Sequence, residues 1–141
     1  MRKITLALAA TLLALALPSV ASAQLSHFSG NWKNIDPNTG GVTRLQITTS
    51  GTSVNVHAWG KCHPTDCDWG TMAGHAYGPN ASSNIVATAQ AITVVFTTSF
   101  SETIMTIRPA GTNRLGVTTY TRFTDTSGRS AYVSNYIFVR S

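Results

Sequence analysis

Residues 59–70, Trp-Gly-Lys-Cys-His-Pro-Thr-Asp-Cys-Asp-Trp-Gly, gather most of the side chains that could do chemistry in this sequence. Both cysteines, Cys62 and Cys67, stand here with His63, Asp66 and Asp68, bracketed by Trp59 and Trp69. Three chemistries compete for them. The spacing sets the two sulfurs across the neck of a four-residue hairpin loop, where a short inter-strand distance suits a disulfide. Closing so small a loop stabilises by about 2 kcal/mol. Cys62, His63, Asp66 and Cys67 are also zinc-ligand types, and His57 and His75 could join them from neighbouring strands. Zinc sites, however, typically use two close pairs, and this stretch has one. A free thiol with an adjacent His is the third option, but neighbours on a strand point to opposite faces, which is poor geometry for a nucleophile and its base. The disulfide is the favoured reading, and no metal and no cofactor is expected.

Acid catalysis fares no better. Asp66 and Asp68 could be posed as a glycosidase-type carboxylate pair, or Asp68 could be paired with Glu102, but nothing in the sequence brings Glu102 near. There is no Gly-x-Ser-x-Gly, no phosphate loop and no His-Glu-x-x-His. No catalytic residue is assigned, and an enzyme is the less favoured class.

Aromatic recognition remains. Strict alternation puts Trp59 on one strand face with Asn55, His57 and Lys61. It puts Trp69 with Cys67, Thr71, His75 and Tyr77. Indoles beside polar groups make wet recognition surfaces for sugars, peptides or small aromatics. The expected binding residues are therefore Trp59, His63, Asp66, Asp68 and Trp69. The competing view is that the two indoles only cover a disulfide.

The elements that must position this cluster are strands. Period-2 segments broken by turn signals read as His27–Ile35, Val42–Thr49, Ser53–Cys62, Cys67–Tyr77, Ile92–Thr98, Thr103–Arg108, Arg114–Phe123 and Ser130–Arg140. Ile85–Gln90 reads as a strand or a helical turn. No amphipathic helix is expected. The pattern implies an all-β fold, an antiparallel up-and-down barrel of about eight strands, with a β-sandwich as the alternative. A barrel is favoured because closure removes unpaired strand edges. In the last strand both faces carry large apolar groups, so it is expected to be covered on both sides or to line a pocket.

Residues 1–23 read as a secretory signal peptide. Arg2 and Lys3 precede an apolar run from Ile4 to Pro18, and Ala21-Ser22-Ala23 supplies the small residues of a cleavage site. The run is short for a membrane span. The domain then covers 24–141, secreted or periplasmic, with no membrane span after cleavage. Loss of Arg2 and Lys3 takes the formal charge from +5 to +3. The remaining basic residues are scattered, so nucleic acid is not an expected partner. Only 11% of the chain is charged, which leaves Ser, Thr and Asn to solubilise it.

Two resemblances can be placed on these residues. The motif Trp59–Gly70, with Phe28–Trp32, Gly41–Leu45, Ile107–Pro109, Thr121–Asp125 and Ser127–Arg129, resembles a short domain of exported or surface proteins of bacteria. That resemblance implies a class and carries no activity. Gly30-Asn31-Trp32 in the first strand and Tyr136–Arg140 in the last resemble the calycin pattern of lipocalins and avidins. That resemblance implies that Trp32 closes one barrel end, with Arg140 packed over the indole.

The functional expectation is a secreted, non-enzymatic binding module that uses the disulfide-closed hairpin and its Trp neighbours. Its partner would be a small ligand, a glycan or a protein. The first alternative is an exported inhibitor of a hydrolase, since a loop made rigid by Pro64 and a disulfide loses little entropy on binding. The second is a metal-binding protein.

Overall fold

The computed structural model describes residues 24–141. The expected signal peptide lies outside the described residues. A 3-10 turn, Leu25–Phe28, leads into eight strands: β1 Gly30–Asn34, β2 Val42–Ser50, β3 Ser53–Gly60, β4 Cys67–Tyr77, β5 Ala91–Thr97, β6 Ser101–Pro109, β7 Arg114–Phe123 and β8 Tyr132–Arg140. Each strand pairs antiparallel with the next, and β8 returns to β1. The result is a closed up-and-down barrel.

Alternation builds its core. Val54, Val56 and Ala58 on β3, Ile92, Val94 and Phe96 on β5, and Met105 and Ile107 on β6 are all buried at every second position. Their neighbours point outward, among them Asn55, Thr93 and Arg108 and also the exposed apolar Val95 and Ile104.

The two barrel ends differ. Successive hairpins place the β2–β3 and β6–β7 turns and the β4–β5 connection at one end. Leu25 and Phe28 turn inward there, 1% and 0% exposed. The β4–β5 connection contains one helical turn, α1 Ile85–Thr88, capped by the Asn84 side chain on the Ala87 amide at 3.3 Å. It packs against the 3-10 turn and completes the plug. Trp32 lies just inside it, fully buried, with Nε1 donating to the Phe28 carbonyl at 2.8 Å. The Arg140 guanidinium sits 4.2 Å from the centre of the Trp32 ring and donates to the carbonyls of Ser29 and His27 at 2.8 Å each. First and last strands are thereby latched together.

One expectation needs correction and two are decided between their alternatives. The first strand does not begin at His27, because the preceding turn carries Leu25 and Phe28 into the barrel and Gly30, at φ +132°, redirects the chain. Of the two readings left open for Ile85–Gln90, the helical turn is the one present, over Ile85–Thr88. Of the two readings of the last strand, it is the pocket-lining one that holds: Phe138 is buried inside and Tyr132 lines a pocket, while Val133 is 54% exposed and Ile137 37% exposed outside. Its outward apolar groups form part of an open Thr-rich surface.

Candidate functional site

The other end of the barrel carries the β1–β2, β3–β4, β5–β6 and β7–β8 connections. The β3–β4 connection is the sequence's Cys/His/Asp cluster, so the cluster rims the open end. Cys62 and Cys67 are joined by a disulfide, with their Cα atoms 5.3 Å apart, within the range that the bond accepts. Both sulfurs are consumed, which removes them from any metal ligand set and from thiol chemistry. Among the described residues no three His, Cys, Asp or Glu side chains cluster as metal ligands.

Both acids of the cluster are hydrogen-bonded to neighbouring groups of the chain. Asp66 Oδ2 accepts from the Thr43 hydroxyl at 2.6 Å, and the same hydroxyl lies 3.2 Å from the Trp59 carbonyl. Thr43 reaches this point because β2 is irregular between Val42 and Arg44, which leaves both Val42 and Leu45 inside. Asp68 Oδ1 accepts from the Gly70 amide at 2.7 Å and lies 2.5 Å from His57 Nε2. The Gly70 amide first, and His57 after it, hold the Asp68 carboxyl below its ordinary value of 3.8, since both favour its ionised form. His57 Nδ1 is 2.9 Å from the Thr71 hydroxyl. Glu102 lies on β6 and is paired with Arg122 at 2.9 Å, which lowers its pKa.

Trp59 faces outward as alternation requires. Its ring stacks on His57 at 4.0 Å and 9°, and the Arg44 guanidinium lies 4.4 Å from the centre of the same indole ring. His63, Pro64 and Thr65 are exposed at the loop tip, where the His63–Pro64 bond is cis.

Trp69 does not share the face of Thr71, His75 and Tyr77. Ala58 pairs with Gly70 and Trp59 with Asp68, so Trp69 is the extra residue of a β-bulge. Gly70 takes φ +81° to permit it. Bulges re-aim a side chain, and this one turns Trp69 into the barrel. There it packs against the core and meets Phe96 edge-on at 5.6 Å. The five expected binding residues are therefore split: Trp59, His63, Asp66 and Asp68 lie on or outside the rim, and Trp69 lies within it.

Around Trp69 the structure assembles a cup. Its walls are Trp69, Phe96, Phe100, Phe123 and Tyr132, and Thr98, Ser101, Thr103 and Thr121 complete the lining. The volume is about 150 Å³. It opens because β4 and β5 pair only over His75–Tyr77 and Ala91–Thr93 and then part toward the rim. Arg129, from the β7–β8 connection, lies 3.8 Å from the Phe123 ring centre and 5.6 Å from that of Phe100. It is held there by Asp125 at 2.8 Å and Ser127 at 2.9 Å.

Sequence reasoning passed over Phe96, Phe100, Phe123, Thr103 and Thr121. A signal was present: aromatic residues flank both the β5–β6 and the β7–β8 turns, as Phe96/Phe100 and Phe123/Tyr132, and alternate hairpin turns share one barrel end. Comparison with known proteins adds nothing to this geometry: no family model matches the chain, and neither a curated protein nor a solved structure gives a significant match.

Proposed function

We propose that this is an exported, non-enzymatic binding protein that takes a small apolar ligand, about the size of one aromatic ring, in the open end of its barrel. One observation carries the reading. The barrel is plugged at the Trp32 end and hollowed at the other into a cup walled by five aromatic side chains. A concave, mostly apolar pocket with a few polar groups is the usual form of a small-molecule site. About 150 Å³ of apolar cavity suffices for a benzene-sized guest. The disulfide fits an oxidising compartment, and the leader-like residues 1–23 supply the route.

The cluster at residues 59–70 then serves chiefly to build the cup. Its disulfide closes the rim hairpin, Asp66 and Asp68 tie the loop down, and the Gly70 bulge delivers Trp69. The test is calorimetric titration of the purified protein with ethylbenzene and related single-ring compounds. Saturable binding at one site per chain, abolished by Trp69→Ala in protein that remains folded, is the expected result. Absence of saturable binding across the set overturns the reading.

A second reading stays in view because the His63–Thr65 tip is exposed on a disulfide-closed loop. Such a loop suits insertion into the cleft of a secreted hydrolase. Inhibition assays against a hydrolase panel, with loss of effect on His63→Ala, would favour it.

A further inference from the structure

The inner lining of the cup points to the ligand's chemistry. Thr103 and Thr121 face each other across β6 and β7. They are 5% and 8% exposed, so each is more than nine-tenths buried. Their hydroxyl oxygens are 3.0 Å apart. A hydroxyl carries one proton, so the bond between them uses one of two. Among the described residues neither hydroxyl has another hydrogen-bond partner, which leaves one buried O–H at the wall of the cup without a protein acceptor. The other hydroxyl pair of the lining is differently placed. Thr98 Oγ1 lies 2.9 Å from Ser101 Oγ and accepts from the amides of Phe100 and Ser101 at 3.3 and 3.0 Å. Those two side chains are spent on holding the β5–β6 turn.

Charge is absent from the lining. Arg129 is not among the lining residues; its guanidinium lies 3.8 Å from the Phe123 ring centre and is already paired with Asp125. A carboxylate or ammonium drawn into the cup would lose its hydration with no opposite charge to meet it.

We propose that the cup selects an uncharged aromatic molecule bearing one hydrogen-bond acceptor oxygen, such as an aryl ketone, an aryl aldehyde or a phenol, and that the Thr103/Thr121 pair donates to that oxygen. This rests on the reading of the cup as a ligand site. A site built to bond a polar atom discriminates against the analogue that lacks it, because the buried donor is otherwise left unmet.

The experiment compares three probes of similar size on the purified full chain by calorimetry: acetophenone, ethylbenzene and benzoate. Acetophenone should bind at least about tenfold more tightly than ethylbenzene, and benzoate should bind more weakly than either. The double variant Thr103→Val with Thr121→Val keeps the side-chain shapes. It should bind ethylbenzene at least as well as the wild type and lose the preference for acetophenone. Thr121→Ser, which retains a hydroxyl, should keep the preference. Equal binding of acetophenone and ethylbenzene to the wild type overturns this inference while leaving the cup as a binding site, and needs no variant to be read. A preference that survives in the double valine variant also overturns it, since the oxygen is then held elsewhere. If none of the three probes binds, the cup reading itself fails.

Discussion

The indole of Trp69 occupies the space that a side chain on Gly60 would need: a Cβ there would stand 2.6 Å from Nε1. Gly60 pairs with Cys67 at the base of the disulfide-closed loop, so the bulge that turns Trp69 inward is matched by a missing side chain opposite. Gly60→Ala should push the indole into the cup. Overpacking of this kind costs about 1–3 kcal/mol. Chemical denaturation should show a loss in that range, with a changed tryptophan emission in the folded state. An unchanged midpoint together with an unchanged spectrum would refute the coupling.

At the opposite end the controlling residue is Trp32. It is buried, bonded to the Phe28 carbonyl and roofed by Arg140. Trp32→Ala should cost about 3–5 kcal/mol, as large aromatic truncations in cores do. Arg140 would also lose its platform, loosening the β1–β8 seam that closes the barrel. Denaturation gives the magnitude, and amide exchange in β1 and β8 gives the location. A negligible shift would mean that the plug is held by Leu25 and Phe28 alone.

The barrel was legible in the sequence because most of its strands follow alternation between Gly- and Pro-rich turns, although β2 and β4 each carry a register irregularity. The first strand was not legible in full, since Phe28 leaves the strand path to fill the plug. The site was only half legible. The disulfide was readable from the spacing of Cys62 and Cys67, whereas Asp66 lies in the β3–β4 loop and Asp68 already in β4. Trp69 was put on the wrong face because alternation holds only without an extra residue, and the bulge is announced by nothing except Gly70. The cup itself draws Trp69, Phe96, Phe100, Phe123 and Tyr132 from three hairpins. Such a meeting depends on which turns share an end, and becomes readable only once closure and strand order are known.

Cys62 and Cys67 close a loop of six residues, counting both ends. Thiol labelling of unfolded, unreduced protein should find no free thiol per chain. Replacing both cysteines by serine should lower stability by about 2 kcal/mol, the entropy released to the unfolded chain by opening so short a loop. Two labelled thiols in the unreduced protein would disprove the bond.

Asp68 sets an acid limit on the rim hairpin. Its pKa in the folded state lies below the ordinary 3.8, with the Gly70 amide as the main cause and His57 next. A depressed carboxylate contributes stability that is present above its unfolded value and is lost as pH falls through the folded value. Asp68→Asn should therefore be less stable than the wild type at neutral pH. The gap should close as pH is lowered from about 5 to about 2. Carboxyl NMR titration should place the Asp68 midpoint below 3.8. A midpoint at or above that value, or a gap that widens in acid, contradicts the assignment.

Trp59 and Trp69 give the sharpest division between the outer face of the hairpin and the cup. Trp59 packs against Arg44 and His57 on the outside, and its removal forfeits a cation–π contact worth about 0.5–1 kcal/mol at an exposed site. It does not line the cup, so Trp59→Ala should leave single-ring binding within about twofold of the wild type, well under 1 kcal/mol. Trp69→Ala should abolish that binding, but it also removes packing against Phe96, so lost stability could be mistaken for a lost site. Phe100 resolves the ambiguity. It lines the cup from the β5–β6 turn and is 46% exposed, so Phe100→Ala should change melting little and still weaken binding severalfold. All three variants would be titrated at a temperature where each is folded by circular dichroism. Loss of affinity in Phe100→Ala and Trp69→Ala, with retention in Trp59→Ala, is the pattern of a ligand held in the cup. The reverse pattern, with Trp59→Ala deficient and Phe100→Ala intact, would move the site to the outer face of the hairpin beside His57 and Asp68.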